Sequence, residues 1–395
     1  MRKLSANYLC PVNGKPIKNG YVALDDNGTV IEVGALDGEC PDTEFYNGIL
    51  VPGFVNAHCH SELSSLKGLF KEGTGMSGFI DQINRLRNVA SKEKRLNCIK
   101  EAFDKMYDEG VSAMADICNC SESFQIKAES PLYTVSFVEL FGTDPAEAKK
   151  ILEEGRRLCN MAESMGLRAA VTPHACYTMS PELLAMAAEE GLKKGIISYH
   201  SQESFQEEEL LISGSGELAE NYKSRGLPTP PVTGKSALLY FIERLLTFAS
   251  APVEGKILLI HNVATNQESI NMALQKLKEP YWVICPLSNI FIHRTLPPVE
   301  LMLENNLNIC IGTDSLSSNK VLSILEEMKT LQKNFSEVTL HRLLEWATIN
   351  GARAIGKEKE IGSIERGKRP GIVLIDNIDW NNFALTEKSR SKRLI

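Results

Sequence analysis

Between residues 50 and 315 one texture recurs eight times: a short apolar run ending in polar or charged residues, then a stretch with apolar residues at three- and four-residue spacing. The runs are LVPGFVNAHCH (50–60), VSAMADICN (111–119), LYTVSFVEL (132–140), LRAAVTPHA (167–175), GIISYHSQE (195–203), KILLIHNV (256–263), YWVICPLSN (281–289) and LNICIGTDS (307–315). Helical periodicity stands out at 101–109, 146–165, 181–194 and 268–277. Near-continuous apolar strands, covered on both faces and alternating with helices, predict an α/β chain folded as a (β/α)8 barrel.

The ends of the chain read differently. YVALDD and TVIEV flank Asn27-Gly28, a hairpin turn pair, and IGSIERGKRPGIVLID (361–376) offers a turn followed by a strand. The expected organisation is a barrel over 51–356, with a small β-sandwich domain built from 1–50 and 357–395. A long connection over 204–255, with an acidic Glu207-Glu208-Glu209 run, reads equally as a lid or specificity segment and as a solvated helix and loop.

Composition narrows the partners. With 43 Lys+Arg against 50 Asp+Glu the net charge is −7, and the one basic cluster is at 388–393. That leaves no footprint for nucleic acid or an anionic membrane, and makes a small-molecule substrate the expected partner. The start has no secretory apolar run and no stretch is long enough to span a bilayer, which predicts a cytoplasmic protein. Ten cysteines without a repeating framework read as reduced thiols, the Cys118-Asn119-Cys120 pair included.

Five of the seven histidines fall at or beside the C-terminal end of a predicted strand: His58 and His60 on the first, His174 on the fourth, His200 on the fifth and His261 on the sixth. That rim is where barrel enzymes assemble their sites. Strand alternation points His58 and His60 the same way and turns Cys59 toward the helical layer. With His200 and the strand-terminal Asp314, three nitrogens and one carboxylate suit one divalent ion, Zn²⁺ first and Fe²⁺ second. Such an ion lowers the pKa of a bound water to about 7. Glu203, three residues after His200, is placed to relay a proton, the competing reading being a carboxylate at a helix start.

These motifs carry a resemblance. VPGFVNAHCHSELS, TPHACYTMSPELL, SYHSQES, CPLSN and IGTDSLSS, followed by ATINGARAIG and IGSIERGK, resemble in order the signatures of the amidohydrolase superfamily, in its branch of mononuclear deaminases and triazine-type chlorohydrolases. The resemblance implies His58, His60, His200 and Asp314 as metal ligands, Glu203 as proton shuttle, and His261 as a catalytic hydrogen-bonding residue that is a ligand in some relatives. It implies His174, Ser288 and Asn289 near the substrate, and a homodimer. LRAAVTPHA has no lysine to bridge two metals, which implies one metal. GKRPGIVLID departs from the family's usual Ala-Asp pair after Gly-Lys.

The implied activity is hydrolytic deamination of an aminated N-heterocycle or nucleoside, with HSELS closest to aminofutalosine- and adenosine-type deaminases. A chlorohydrolase or cyclic amidohydrolase would share the ligands, and a non-catalytic metal-stabilised binder would lack the shuttle. Glu62 and Glu139 read equally as substrate-binding carboxylates and as turn or strand-end carboxylates. Asp116 reads as an acceptor orienting a ligand histidine or as a loop cap. His293 is expected in a loop, and His341 on the solvated side of a helix.

Overall fold

The computed structural model describes residues 1–38 and 42–395. Its centre is two four-stranded parallel sheets. The first contains β1 (Phe54–Cys59), β2 (Val111–Cys118), β3 (Tyr133–Leu140) and β4 (Arg168–Pro173). The second contains β5 (Ile196–Ser201), β6 (Val253–His261), β7 (Leu277–Ile284) and β8 (Ile309–Ile311). Each strand pairs in parallel with its sequence neighbour within its sheet.

Backbone hydrogen bonds also join the two sheets at both edges. His200 N donates to His174 O at 2.8 Å, and Thr313 N and Asp314 N both donate to His58 O at 3.0 Å, with a parallel bridge between Cys59 and Asp314. All eight expected strands are present, within a few residues of the predicted runs. The eighth shrinks to three residues, because Gly312 closes on His58 and the chain turns at Asp314.

The helices sit where the periodicity places them, and their ends follow local chemistry. Ser91 and Ser180 cap Lys92–Asp108 and Pro181–Leu192 by accepting from Lys94 N and Leu183 N. Cys59 packs in one apolar cluster with Phe103 and Met106 of the first of these helices, turned away from the histidines as alternation requires. The 204–255 connection folds into three helices, Phe205–Ser213, Gly216–Ser224 and Ala237–Leu245.

Both termini enter a single seven-stranded sheet. In order it runs Ser391–Arg393, Ile372–Ile375, Glu44–Pro52, Arg2–Leu9, Gly20–Leu24 and Val30–Ala35, with Ile17–Lys18 paired to Arg2–Leu9. Hydrogen-bond pairing thus joins the strands of both chain ends in one sheet, as expected of the tail. Asp25 Oδ1 accepts from Asn27 N and Thr29 N, and Gly28 takes a φ of 79°, which builds the expected turn. Among the described residues no helix is long and apolar enough to cross a membrane, and the described cysteines are free thiols.

His293 departs from expectation: it ends the helix Pro286–His293, with a buried Nε2 that has no hydrogen-bond partner. His341 lies on the helix Leu340–Ala347, 3.6 Å from Glu345.

Candidate active site

The C-terminal ends of the strands surround one cavity of about 380 Å³. On its floor β1 and the residue after it bring His58 and His60 together with His200 at the end of β5. One ring nitrogen from each lies within 4.8 Å of the others. His60 Nε2 and His200 Nε2 are 3.3 Å apart. Asp314, just past β8, places Oδ1 at 3.8 Å from His58 Nε2 and 3.7 Å from His60 Nε2.

The residues around this cluster orient it. Ser288 and Ser318 both donate to Asp314 Oδ2, at 2.7 and 2.6 Å, which leaves Oδ1 directed at the imidazoles. His200 Nδ1 lies 3.3 Å from the carbonyl oxygen of His174. A carbonyl only accepts, so Nδ1 carries the proton and the Nε2 lone pair faces His60. Burial drives His58 and His200 well below the ordinary imidazole range, and their histidine neighbours add to it, so both rings are neutral. For Asp314, burial acts to raise the carboxyl, but the groups around it, the Ser288 hydrogen bond among them, outweigh it and hold it down to about 2.

The donor set fits a divalent cation. His58 is fully buried, and neither of its ring nitrogens has a hydrogen-bond partner. An imidazole left unpaired in the interior is costly unless its lone pair meets an electrophile. Neutral imidazoles converging beside an ionised carboxylate are what Zn²⁺ or Fe²⁺ binds.

Glu203 faces the same floor. Its Oε1 lies 3.4 Å from His261 Nε2, and its Oε2 accepts from the Tyr177 hydroxyl at 3.2 Å. Burial pushes this carboxyl well up, with the Asp314 and Glu207 charges adding to the effect. Its side chain does not cap the following helix; Ser204 does, accepting from Glu207 N. His261, pushed down to about 4 by burial, is neutral, and its Nδ1 lies 3.1 Å from Asn289 Nδ2. With the Asn289 amide donating to Nδ1, the His261 proton is on Nε2 and directed at Glu203. His261 and Asp314 hold φ values of 73° and 55°, a left-handed backbone that costs about 1–2 kcal/mol.

The remaining expected residues divide by position. His174 and Glu139 line the cavity. His174 stacks on His200 with ring centroids 4.5 Å apart, and Glu139 Oε1 lies 3.4 Å from His200 Nδ1. Glu139, His174 and His200 form a second group whose donor atoms lie within 4.8 Å of one another. Ser288 and Asn289 stand behind the floor, bonded to Asp314 and His261, and do not line the cavity.

Glu62 is drawn away from it as well, because its carboxylate accepts from Asn119 N at 2.9 Å, Cys120 Sγ at 3.3 Å and Ser123 Oγ at 3.4 Å. Asp116 orients no histidine. It accepts from Ser61 N and Ser61 Oγ at 2.8 and 2.7 Å and pairs at 2.8 Å with the fully buried Lys127.

Sequence reasoning missed Tyr177, although it lies inside the TPHACYTMSP motif, because nothing local shows that its hydroxyl reaches Glu203. It also missed Glu207, whose Oε2 accepts from Glu203 N at 2.7 Å. The 204–255 connection supplies Tyr222, Arg225 and Leu227 to the cavity wall.

This cluster, open to a cavity, groups donor atoms that could hold a metal ion, in a chain whose family and relatives make it a hydrolase acting on carbon–nitrogen bonds. A profile of the amidohydrolase family matches residues 49–392, and the chain belongs to that family.

Among curated relatives it is 27% identical over 400 residues to an adenosine deaminase of Helicobacter pylori, covering 98% of this chain and 92% of that one. It is 28% identical to a 5-methylthioadenosine/S-adenosylhomocysteine deaminase of Moorella thermoacetica, covering 93% and 84%. Among solved structures, Helicobacter pylori aminofutalosine deaminase in complex with methylthio-coformycin shares the fold with a TM-score of 0.77, at 23% identity and with both chains fully covered. An adenosine deaminase from Xanthomonas campestris with bound zinc has a TM-score of 0.71 at 20% identity, covering 95% and 84%.

Proposed function

We propose that the protein is a hydrolytic deaminase of an aminated N-heterocycle or its nucleoside. The observation that carries this reading is Glu203, a buried carboxylate between His261 Nε2 and the Tyr177 hydroxyl, on the same cavity floor as the His58, His60, His200 and Asp314 cluster. The deaminase relatives of similar length support it. In this reading the eight strands close as one (β/α)8 barrel over 51–356, and 1–50 with 357–395 form the small β domain.

His58, His60, His200 and Asp314 would hold one divalent ion, Zn²⁺ by preference. When bound, that ion supplies Lewis acidity that makes water a nucleophile at neutral pH. Glu203 accepts the proton of the attacking water and delivers it to the ring nitrogen beside the carbon under attack. The same carboxyl carries the second proton to the exocyclic amine, so that the carbon–nitrogen bond breaks and ammonia leaves. His261 donates from Nε2 to the oxygen that gains charge in the tetrahedral arrangement. His174 and Glu139, beside His200, offer hydrogen bonds to the heterocycle.

The test is ammonia release by metal-loaded protein from a panel of aminopurines, aminopyrimidines, pterins and their nucleosides, with a chelated control. Chelator-sensitive release from one ring, lost in Glu203→Gln with metal content intact, is the expected result. Silence across the panel, or full activity in the variant, overturns the reading.

A further inference from the structure

Side chains two residues apart on a strand point the same way, so Asn56 shares a face of β1 with His58. Asn56 is fully buried, as is Thr313, the residue before Asp314. The two side chains meet. Asn56 Nδ2 donates to Thr313 Oγ1 at 2.8 Å, and Asn56 Oδ1 accepts from Thr313 N at 3.1 Å and from His58 N at 3.4 Å. One buried amide therefore touches the backbone of His58 and the residue next to Asp314.

The Thr313 hydroxyl carries the contact one step further. Its oxygen accepts from Asn56, and its own proton goes to the carbonyl oxygen of Asp314 at 3.3 Å. Asp314 has a φ of 55°, a left-handed backbone that residues other than glycine rarely adopt. Such a conformation persists where the surrounding structure over-determines it. Here the Asp314 N–H donates to His58 O at 3.0 Å, and the Thr313 hydroxyl fixes the carbonyl at the other end of the residue. Both ends of the strained residue are thus held by β1, one directly and one through Thr313.

Pairing of the strands does not call for this arrangement. Gly312 N donates to Ile284 O and Thr313 N to His58 O, both at 3.0 Å, so the backbone rungs on the two sides of β8 are already made. Gly312 also lets the strands approach, since a Cβ there would come within 2.8 Å of His58 Cβ. A buried polar pair can give way to apolar groups of the same shape at little cost to a fold. An apolar pair cannot direct the Asp314 carbonyl.

We infer that Asn56 and the Thr313 hydroxyl are positioning residues for the metal site. They hold the left-handed Asp314 backbone so that Oδ1 stays within 3.8 Å of both His58 Nε2 and His60 Nε2, and so set the affinity and coordination geometry of the ion. Ser288 and Ser318 fix the same residue from its side-chain end, through Oδ2. The inference rests on the reading of His58, His60, His200 and Asp314 as ligands, and it holds whichever bond the site hydrolyses.

The test uses the full chain and two ions. Competition with a chromophoric chelator reads Zn²⁺ affinity, and the visible absorption of the Co²⁺-loaded protein reports coordination geometry. Thr313→Val removes the hydroxyl at nearly constant volume, and Thr313→Ser keeps it. Thr313→Val and Asn56→Ala are each expected to weaken Zn²⁺ binding about tenfold and to change the Co²⁺ absorption, the usual scale for a group that orients a ligand. Thr313→Ser is expected to match wild type in both measurements.

Unchanged Zn²⁺ affinity and Co²⁺ absorption in folded Thr313→Val overturn the inference, whatever happens to the melting temperature of the metal-free protein. Thr313→Ser as weak as Thr313→Val overturns it too, because the hydroxyl is then not what holds Asp314. If Thr313→Val does not fold, Asn56→Ala decides, and failure of both to fold overturns the inference by assigning the pair to the fold. A wild-type chain that binds neither ion overturns the metal-site reading and the inference with it. Binding without ammonia release, with the variants weakened as expected, sustains the inference and overturns the deaminase reading alone.

Discussion

The Tyr177 hydroxyl donates a 3.2 Å hydrogen bond to Glu203 Oε2, which fixes one carboxylate oxygen and leaves the other, Oε1, 3.4 Å from His261 Nε2. A donor to the ionised form lowers a carboxyl's pKa, so Tyr177 opposes the upward push of burial on Glu203. Tyr177→Phe is expected to lower kcat about tenfold, the worth of one hydrogen bond to a charged group. It should also move the acid limb of the pH–rate profile to higher pH, because Glu203 must be ionised to accept the proton of water. A limb that moves down or stays in place contradicts the role.

Glu327 ties the helix after β7, Pro286–His293, to the loop after β8. It is fully buried, its Oε2 accepts from Leu287 N at 2.8 Å, and its Oε1 accepts from Asn319 Nδ2 at 2.8 Å. These segments carry Ser288, Asp314 and Ser318. Glu327→Ala strands the part-buried Leu287 N–H and the buried Asn319 amide, and is expected to cost about 3 kcal/mol in denaturant unfolding. Metal titration of the folded variant should show affinity reduced about tenfold, through loss of Asp314 orientation.

Lys127 and Asp116 form an ion pair with neither side chain exposed. Lys127→Met leaves the Asp116 charge buried without its partner and is expected to destabilise the protein by about 3–5 kcal/mol. Adding Asp116→Asn should recover part of that loss, since the stranded charge is then gone. A double variant less stable than the single one would place the cost in packing.

Glu207 makes stability depend on pH. Burial pushes its carboxyl up to about 8 from an ordinary 4.5, the Glu208 charge adding to it, while the Cys176 thiol and the Glu203 and Ser204 backbone N–H groups pull the other way. The native state holds this proton where the unfolded chain has lost it, so the contribution is complete below pH 4.5 and disappears as pH rises through about 8. Glu207→Gln, which cannot ionise, is expected to flatten the fall in unfolding free energy over that window. Urea unfolding at several pH values reads the slope.

Metal removal should register in stability. At a free ion concentration of about 100 times Kd, binding to the native state alone adds about 2.7 kcal/mol. Chelation is therefore expected to lower Tm, and Zn²⁺ to restore it. His58→Ala should abolish the difference, because its ring nitrogens are buried with no other partner.

The eight alternations, the convergence of His58, His60 and His200 and the placement of Asp314 were legible in the sequence by itself. Strand and helix periods are properties of the local backbone, and residues at successive strand ends are brought together by sheet pairing in chain order. What tertiary structure alone decided lies one contact further out. Glu62 and Glu139 had equal standing as sequence, yet the loop carrying Asn119 and Ser123 draws Glu62 off the cavity while Glu139 stays beside His200.

The hydroxyl of Tyr177 and the Glu327 tie left no periodic mark. Each depends on where two remote segments meet, and that is set by packing of the whole chain, whereas a pattern within a dozen residues carries only the local period. The strand order of the terminal sheet has the same origin. Ile372–Ile375 has the texture of any apolar strand, and only its antiparallel pairing with Glu44–Pro52 decides which sheet it joins.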